Sequence, residues 1–172
     1  MMLDVGGRAL TVLSMAMSAR RPAWTSMSAT RAPSPDIQPQ ALPTLLMEAL
    51  ENNNFPDVDS GLRTMWQFAS DTTRFIYKGN LTEFIEDAHE TADTLPTSFY
   101  GVAFHGKGWE FEGEMTLTGR DHWIATQVMK SHSSDGRLRR WQWELRRHRQ
   151  TRCWHVESIG SSDRLGNFDV EG

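Results

Sequence analysis

Cysteine is nearly absent: Cys153 is the one thiol in 172 residues. It has no partner for an internal disulfide, so a reducing compartment is the simpler setting. Long apolar runs are missing too. None approaches the roughly 18–20 residues that a membrane-spanning helix needs, so a soluble mature protein is expected. No Gly-rich phosphate loop occurs, because Gly106-Lys107-Gly108 is too short and runs into a strand instead of a helix. Metal-ligand spacing is lacking as well: His122, His132 and His148 fall at or beside turns, and Cys153 with His155 supplies at most two ligands. No metal and no cofactor is expected. Cys153 is also a poor nucleophile, since a buried strand thiol behaves as a small apolar residue and its nearest positive charge in sequence is Arg152. What remains is ordinary: 38% hydrophobic residues and 18 Lys+Arg against 22 Asp+Glu, for a net charge of -4. Such a composition excludes collagen-like and wholly disordered chains and fits one globular domain with its own core.

That average hides three unlike segments. Residues 1–40 carry four bases and two acids, residues 41–96 three bases and ten acids, and residues 97–172 eleven bases and ten acids. The first segment holds Arg8, Arg20, Arg21 and Arg31 with Ser14, Ser18, Ser26, Ser28 and Ser34 scattered through it. Rich in Ser and Arg and poor in acids, it has the makeup of an organelle transit peptide. A chloroplast address is favoured over a mitochondrial one because Ser, Thr and Pro are frequent and no strong Arg-bearing amphipathic helix stands out. A secretory signal with Ala9 to Met17 as its apolar core fits less well, since Arg20 and Arg21 follow that core without a clean small-residue cleavage site. A plain disordered leader is the remaining alternative. The tail after Gly160, residues 161–172, has little pattern and is expected to be loosely held.

From Pro43 the spacing turns helical. Leu42, Leu45, Leu46, Met47 and Leu50 share a stripe that ends at Asn52, Asn53, Asn54 and Pro56. A second helix, capped by Asp59 or Ser60, has Leu62, Met65, Trp66 and Ala69 on one face. Thr73 to Tyr77 reads as a short extended piece. Asn80 then caps a third helix with Glu83 three residues on, and Leu81, Phe84, Ile85 and Ala88 line its buried face. Leu95-Pro96 ends it.

Beyond Thr97 the period drops to two. Ser98 to Phe104 reads as a strand, and after His105 to Gly108 comes the clearest one, with Trp109, Phe111, Gly113, Met115 and Leu117 on one face and Glu110, Glu112, Glu114, Thr116 and Thr118 on the other. Trp123 to Lys130, Leu138 to Arg147 and Cys153 to Ile159 follow, joined by turns. The expected fold is α+β: a curved antiparallel meander closed on one face by three N-terminal helices, over residues 41–160.

This order of elements, with Ala49-Leu50-Glu51-Asn52-Asn53-Asn54 leading to Gly61-Leu62-Arg63-Thr64-Met65-Trp66-Gln67-Phe68-Ala69-Ser70, resembles the nuclear transport factor 2-like superfamily, and more narrowly an uncharacterised branch from plastid-bearing organisms and bacteria. The resemblance covers about residues 40 to 160. It implies a cone with an apolar mouth, a fold shared by ketosteroid isomerases, dehydratases, polyketide cyclases, transport factors and accessory domains. In the isomerases and dehydratases a carboxylate or a His-Asp pair moves the proton while a Tyr or acid steadies the oxyanion.

No such motif is recognisable here, although Tyr100, His155 and Glu157 are weak catalytic candidates, with Asp71 and His89 behind them. Because Trp154 and Val156 alternate with His155 and Glu157 and look buried, the latter pair is expected on the outer side of the sheet as a solvated polar pair. An apolar pocket, if present, would be lined by Trp66, Phe84, Met115, Trp141 and Trp143, a set that more often forms core.

Charge is the most uneven feature. Arg137, Arg139, Arg140, Arg146, Arg147, Arg149 and Arg152 lie close together, interleaved with Trp141, Trp143 and Trp154. Single-stranded nucleic acid is a weak expectation, because the tryptophans belong to the core face and Arg140 and Arg146 can pair across the sheet with Glu110, Glu112 and Glu114. The leading expectation is a non-catalytic interaction or accessory protein that uses its sheet face for a protein partner or a homodimer. A small hydrophobic ligand-binding protein ranks second and an isomerase or dehydratase third.

Overall fold

The helical stripe that begins at Leu42 becomes helix α1, Ala41–Glu51, in which Leu42, Leu46, Met47 and Leu50 are wholly buried. Each such side chain contributes roughly 1.5–3 kcal/mol of burial. The structure, a computed structural model, describes residues 32–162. Most of the expected leader and all but the first two residues of the tail lie outside the described residues. The folded unit starts slightly ahead of α1, since Ile37 already packs against the core.

Helix α2, Ser60–Phe68, follows a joint built on Asn53. Its Oδ1 accepts from the Leu62 N–H at 2.9 Å and its carbonyl from the Gly61 N–H at 3.1 Å. The helices approach so closely that a Cβ on Gly61 would sit 2.2 Å from the Ala49 carbonyl oxygen. Asp59 does not cap α2. Its backbone is left-handed, φ 60°, and its carboxylate instead accepts from Asn53 at 3.0 Å and meets His89 Nε2 at 2.7 Å.

Two expected strands are helices. Thr73 to Tyr77 falls largely in α3, Asp71–Ile76. Its β-branched and aromatic residues favour a strand locally, but Ser70 Oγ accepts from the Thr73 N–H at 3.2 Å and starts a helical turn. The extended chain lies just before it, where Ala69 forms a parallel bridge with Val156 and the Ser70 N–H donates to the Val156 carbonyl at 2.9 Å. Phe75 and Ile76 stay exposed. Similarly, Ser98 to Phe104 becomes α5, Phe99–His105, because Ser98 Oγ accepts from the Gly101 N–H at 3.0 Å and the buried residues are Phe99, Val102 and Ala103, a helical spacing. Between them α4, Leu81–Thr94, starts as expected, with Asn80 accepting from the Thr82 and Glu83 N–H groups at 3.1 and 3.3 Å. Five helices therefore precede the sheet among the described residues, against three expected. His89 lies inside α4.

Strands β1 (Trp109–Thr118), β2 (Ile124–His132), β3 (Leu138–Arg147) and β4 (Trp154–Ser161) form an antiparallel sheet in sequence order. The sheet is open. Alternation is clean in β2 and β3: Ala125, Gln127, Met129 and Ser131 of β2 and Trp141, Trp143 and Leu145 of β3 are buried. In β1 the register shifts between Glu112 and Thr116, with Gly113 at φ 68°. Buried Gln127 serves this bulge: its Nε2 donates to the Glu112 and Gly113 carbonyls at 3.1 and 3.3 Å. A bulge bends its strand and raises the local twist. The inner face meets the helices through Phe99, whose ring contacts Trp141 and Trp143 edge-on at 5.7 and 5.5 Å.

Candidate functional site

On the outward face, at the end of the sheet carrying the β1–β2 and β3–β4 turns, Ile124, Arg146 and His155 stand in one row across β2, β3 and β4. All three line a cleft of about 920 Å³. The short turn helix Arg120–His122 borders it with Arg120 and Asp121, the β3–β4 turn with His148, Arg149 and Gln150, and the start of α3 with Ser70, Asp71 and Thr72. Trp123, Arg147 and Glu157 complete the charged and aromatic lining.

Each wall has a local cause. Gly119 at φ 79° starts the first turn, and Asp121 and His122 continue it in left-handed conformations. The second turn is closed by the Arg152 N–H to the His148 carbonyl at 2.9 Å, with Arg152 also left-handed. The α3 wall is tied to β4 by the Ser70–Val156 bond and by Thr73 Oγ1 donating to the Glu157 carbonyl at 3.1 Å.

The cleft's charges are unevenly matched. Arg146 reaches Glu144 at 3.7 Å and Glu157 at 3.9 Å. Arg147 donates through Nε to the Arg152 carbonyl at 3.0 Å and lies over the Trp154 ring, while Arg152 lies over Trp123. Arg120, Arg147 and Arg149 have no carboxylate within ion-pair distance among the described residues. Burial pushes the His155 imidazole below its ordinary pKa, and the Arg74 guanidinium and His148 push the same way, against the Ala69 backbone and Asp71. His155 Nδ1 is buried and makes no hydrogen bond of good geometry, so the Ala69 contact is weak and burial prevails.

The structure thus brings Asp71, His155 and Glu157 to one cleft and leaves Tyr100 elsewhere. Tyr100 lies on α5, packed among Phe84, Phe99 and Phe104, where burial, with Tyr77 and Asp87, drives its phenol pKa far up. Such a phenol stays protonated near neutral pH, and neither cleft includes it. His89 pairs with Asp59 beside a second cleft of about 420 Å³, lined also by Glu51, Asn53, Phe104 and His105.

The pocket candidates pack on one another. Trp66 touches Phe84 at 5.2 Å, Phe84 touches Tyr100 at 6.1 Å, Tyr100 touches Phe99 at 5.4 Å, and Phe99 touches both Trp141 and Trp143. Met115 packs half-buried against the same core. None of these five candidates lines either cleft. Trp141 is anchored further by its Nε1–H to Ser131 Oγ at 2.9 Å.

The Arg-rich strand splits as alternation dictates. Arg140 and Lys130 hold Glu112 at 3.1 and 2.8 Å across the outer face, and their hydrogen bonds keep its carboxyl below the usual range. Ser70, Thr72, Arg120, Asp121 and Trp123 escaped sequence reasoning because they sit on turns far apart in the chain. The one usable signal was the non-glycine turn Arg120-Asp121-His122 after Gly119. Among the described residues no cluster of His, Cys, Asp and Glu could hold a metal ion, and no helix is long and apolar enough to cross a membrane. Compared with protein-family models, curated proteins and solved structures, the chain matches none.

Proposed function

We propose that this chain is a non-catalytic interaction protein, built as a nuclear transport factor 2-like cone, that works through the outward face of its sheet. One observation carries the reading. The ring chain from Trp66 through Phe84, Tyr100 and Phe99 to Trp143 packs the space between helices and sheet, where a pocket enzyme of this kind would hold substrate. The same packing counts against a hydrophobic ligand and against an isomerase or dehydratase acting through Tyr100.

The outward residues Thr126, Val128, Gln142 and Glu144 belong to none of that core and are half-buried only. Both charge signs occur there, Glu112 and Glu144 beside Lys130, Arg140 and Arg146, so the face carries no single-sign field to repel a second copy turned about a twofold axis. The partner we favour is such a copy. Sedimentation velocity of the full chain at rising concentration tests this: a dimer is expected, with Val128→Arg monomeric at an unchanged melting temperature. A monomer at every concentration that is stabilised by apolar ligands would overturn it in favour of the pocket reading. The plastid address proposed for residues 1–40 is tested by fusing that segment to a fluorescent protein; diffuse cytosolic signal defeats it.

A further inference from the structure

The two ends of the sheet's outer face treat their cations differently. At one end Lys130 and Arg140 share Glu112. At the other, Arg120, Arg147 and Arg149 converge on the 920 Å³ cleft from the turn helix, the end of β3 and the β3–β4 turn, without a carboxylate partner among the described residues. Guanidinium groups in a concave site bind phosphate and carboxylate oxygens through forked, charge-assisted hydrogen bonds. Arg147 spends its Nε on the Arg152 carbonyl and lies over Trp154, whereas Arg120 and Arg149 make no side-chain hydrogen bond or ion pair among the described residues.

The acids of the same cleft define the rest of the ligand. Glu157 is engaged by Arg146, whereas Asp71 and Asp121 have no ion pair among the described residues. A carboxylate that repels phosphate accepts readily from hydroxyl groups. His148 and His155 add ring nitrogens, and Trp123 adds an apolar face already backed by Arg152 at 5.2 Å. The volume exceeds what a bare phosphate fills and lies within the range of small-molecule sites, about 300–1,000 Å³. Three non-glycine residues in left-handed conformations, Asp121, His122 and Arg152, belong to the two turns that form the walls, the kind of local strain that gathers at ligand clamps.

We propose that this cleft binds a small phosphate monoester bearing hydroxyl groups, a sugar phosphate or a mononucleotide, with Arg120, Arg147 and Arg149 on the phosphate and Asp71 and Asp121 on the hydroxyls. The assignment does not depend on whether the sheet face takes a partner. It differs from nucleic-acid binding by the single strand of Arg and Trp, because Trp141 and Trp143 face inward and are not available for stacking.

Isothermal titration of the full chain at low salt with glucose 6-phosphate, adenosine monophosphate, inorganic phosphate and glucose provides the test. A phosphorylated probe is expected to bind, with glucose silent and inorganic phosphate weaker. The relative affinity of the first two probes tells a sugar phosphate from a nucleotide. The exposed pair Arg120→Gln with Arg149→Gln should weaken binding at least about tenfold, the scale of losing charge-assisted hydrogen bonds. Arg137→Gln, remote from the cleft, should change nothing. Asp121→Asn should weaken the phosphorylated sugar while strengthening inorganic phosphate. Absence of binding by both phosphate esters, or equal losses in the cleft pair and in Arg137→Gln, overturns the site. Inorganic phosphate binding as tightly as the esters overturns the role of the acids. A matching melting temperature for each variant keeps misfolding from mimicking a loss.

Discussion

The inner face of the sheet and its turn-end cleft are made from neighbouring residues of the same strands, yet one is closed by packed side chains and the other lies open. Inside, Trp143, Met129 and Leu145 are wholly buried and the Trp141 indole finds Ser131. Outside, at the turn end, Arg120, Arg147 and Arg149 line the cleft without carboxylate partners among the described residues. A close-packed region supports the fold, and an open region whose cations lack carboxylate partners is where a ligand gains most. Both proposals, the partner on the sheet face and the ligand in the cleft, draw on that outer side.

The interior should fail hardest when broken. Trp143→Ala removes the ring that meets Phe99 and is expected to cost about 3–5 kcal/mol, read as a lowered midpoint in urea. Gly61→Ala forces a methyl against the Ala49 carbonyl. Such overpacking costs about 1–3 kcal/mol, and calorimetry would show it as a lower melting temperature; an unchanged one would mean that α1 and α2 can part cheaply. Asn80→Ala deletes the cap of α4 for about 1 kcal/mol, visible as faster amide exchange in its first turn.

The cleft should respond to pH where the interior does not. His155 has a depressed pKa in the folded protein, so folding favours the neutral ring. Its contribution to stability is complete above the ordinary imidazole value of 6.5 and is lost as pH falls below it. Arg74 and His148 oppose protonation there and Asp71 favours it. Chemical denaturation at pH 7.5 and 5.5 should show a loss on acidification that His155→Gln reduces; an identical loss in both proteins removes the assignment. Smallest of all is the paired end of the outer face. Arg140→Gln leaves Lys130 on Glu112 and should not move the melting temperature measurably at physiological salt, since exposed ion pairs contribute little.

Much of the fold was legible. Leu42, Leu46 and Leu50 declare α1, Asn80 with Glu83 declares the start of α4, and alternation from Trp109 onward locates the strands. The two segments misread as strands share one cause. Thr73-Arg74-Phe75-Ile76 and Phe99-Tyr100-Gly101-Val102 are mostly β-branched or aromatic, so intrinsic preference pointed to extension, while a single serine cap at Ser70 or Ser98 started a helix. Of the candidate site residues, His155 and Glu157 were readable as outward from their alternation with Trp154 and Val156. Their neighbours were not, because Asp71 at the start of α3 and Asp121 and Arg149 on two turns lie far apart in the chain.

Local sequence by itself determined which residues face inward, since the periods of strand and helix are properties of a few successive residues. Only the tertiary structure decided that the inward aromatics close into one packed chain and that two distant turns and the start of α3 meet around a charged cleft. Pairing register and loop approach depend on the whole sheet, and no short window of sequence contains them.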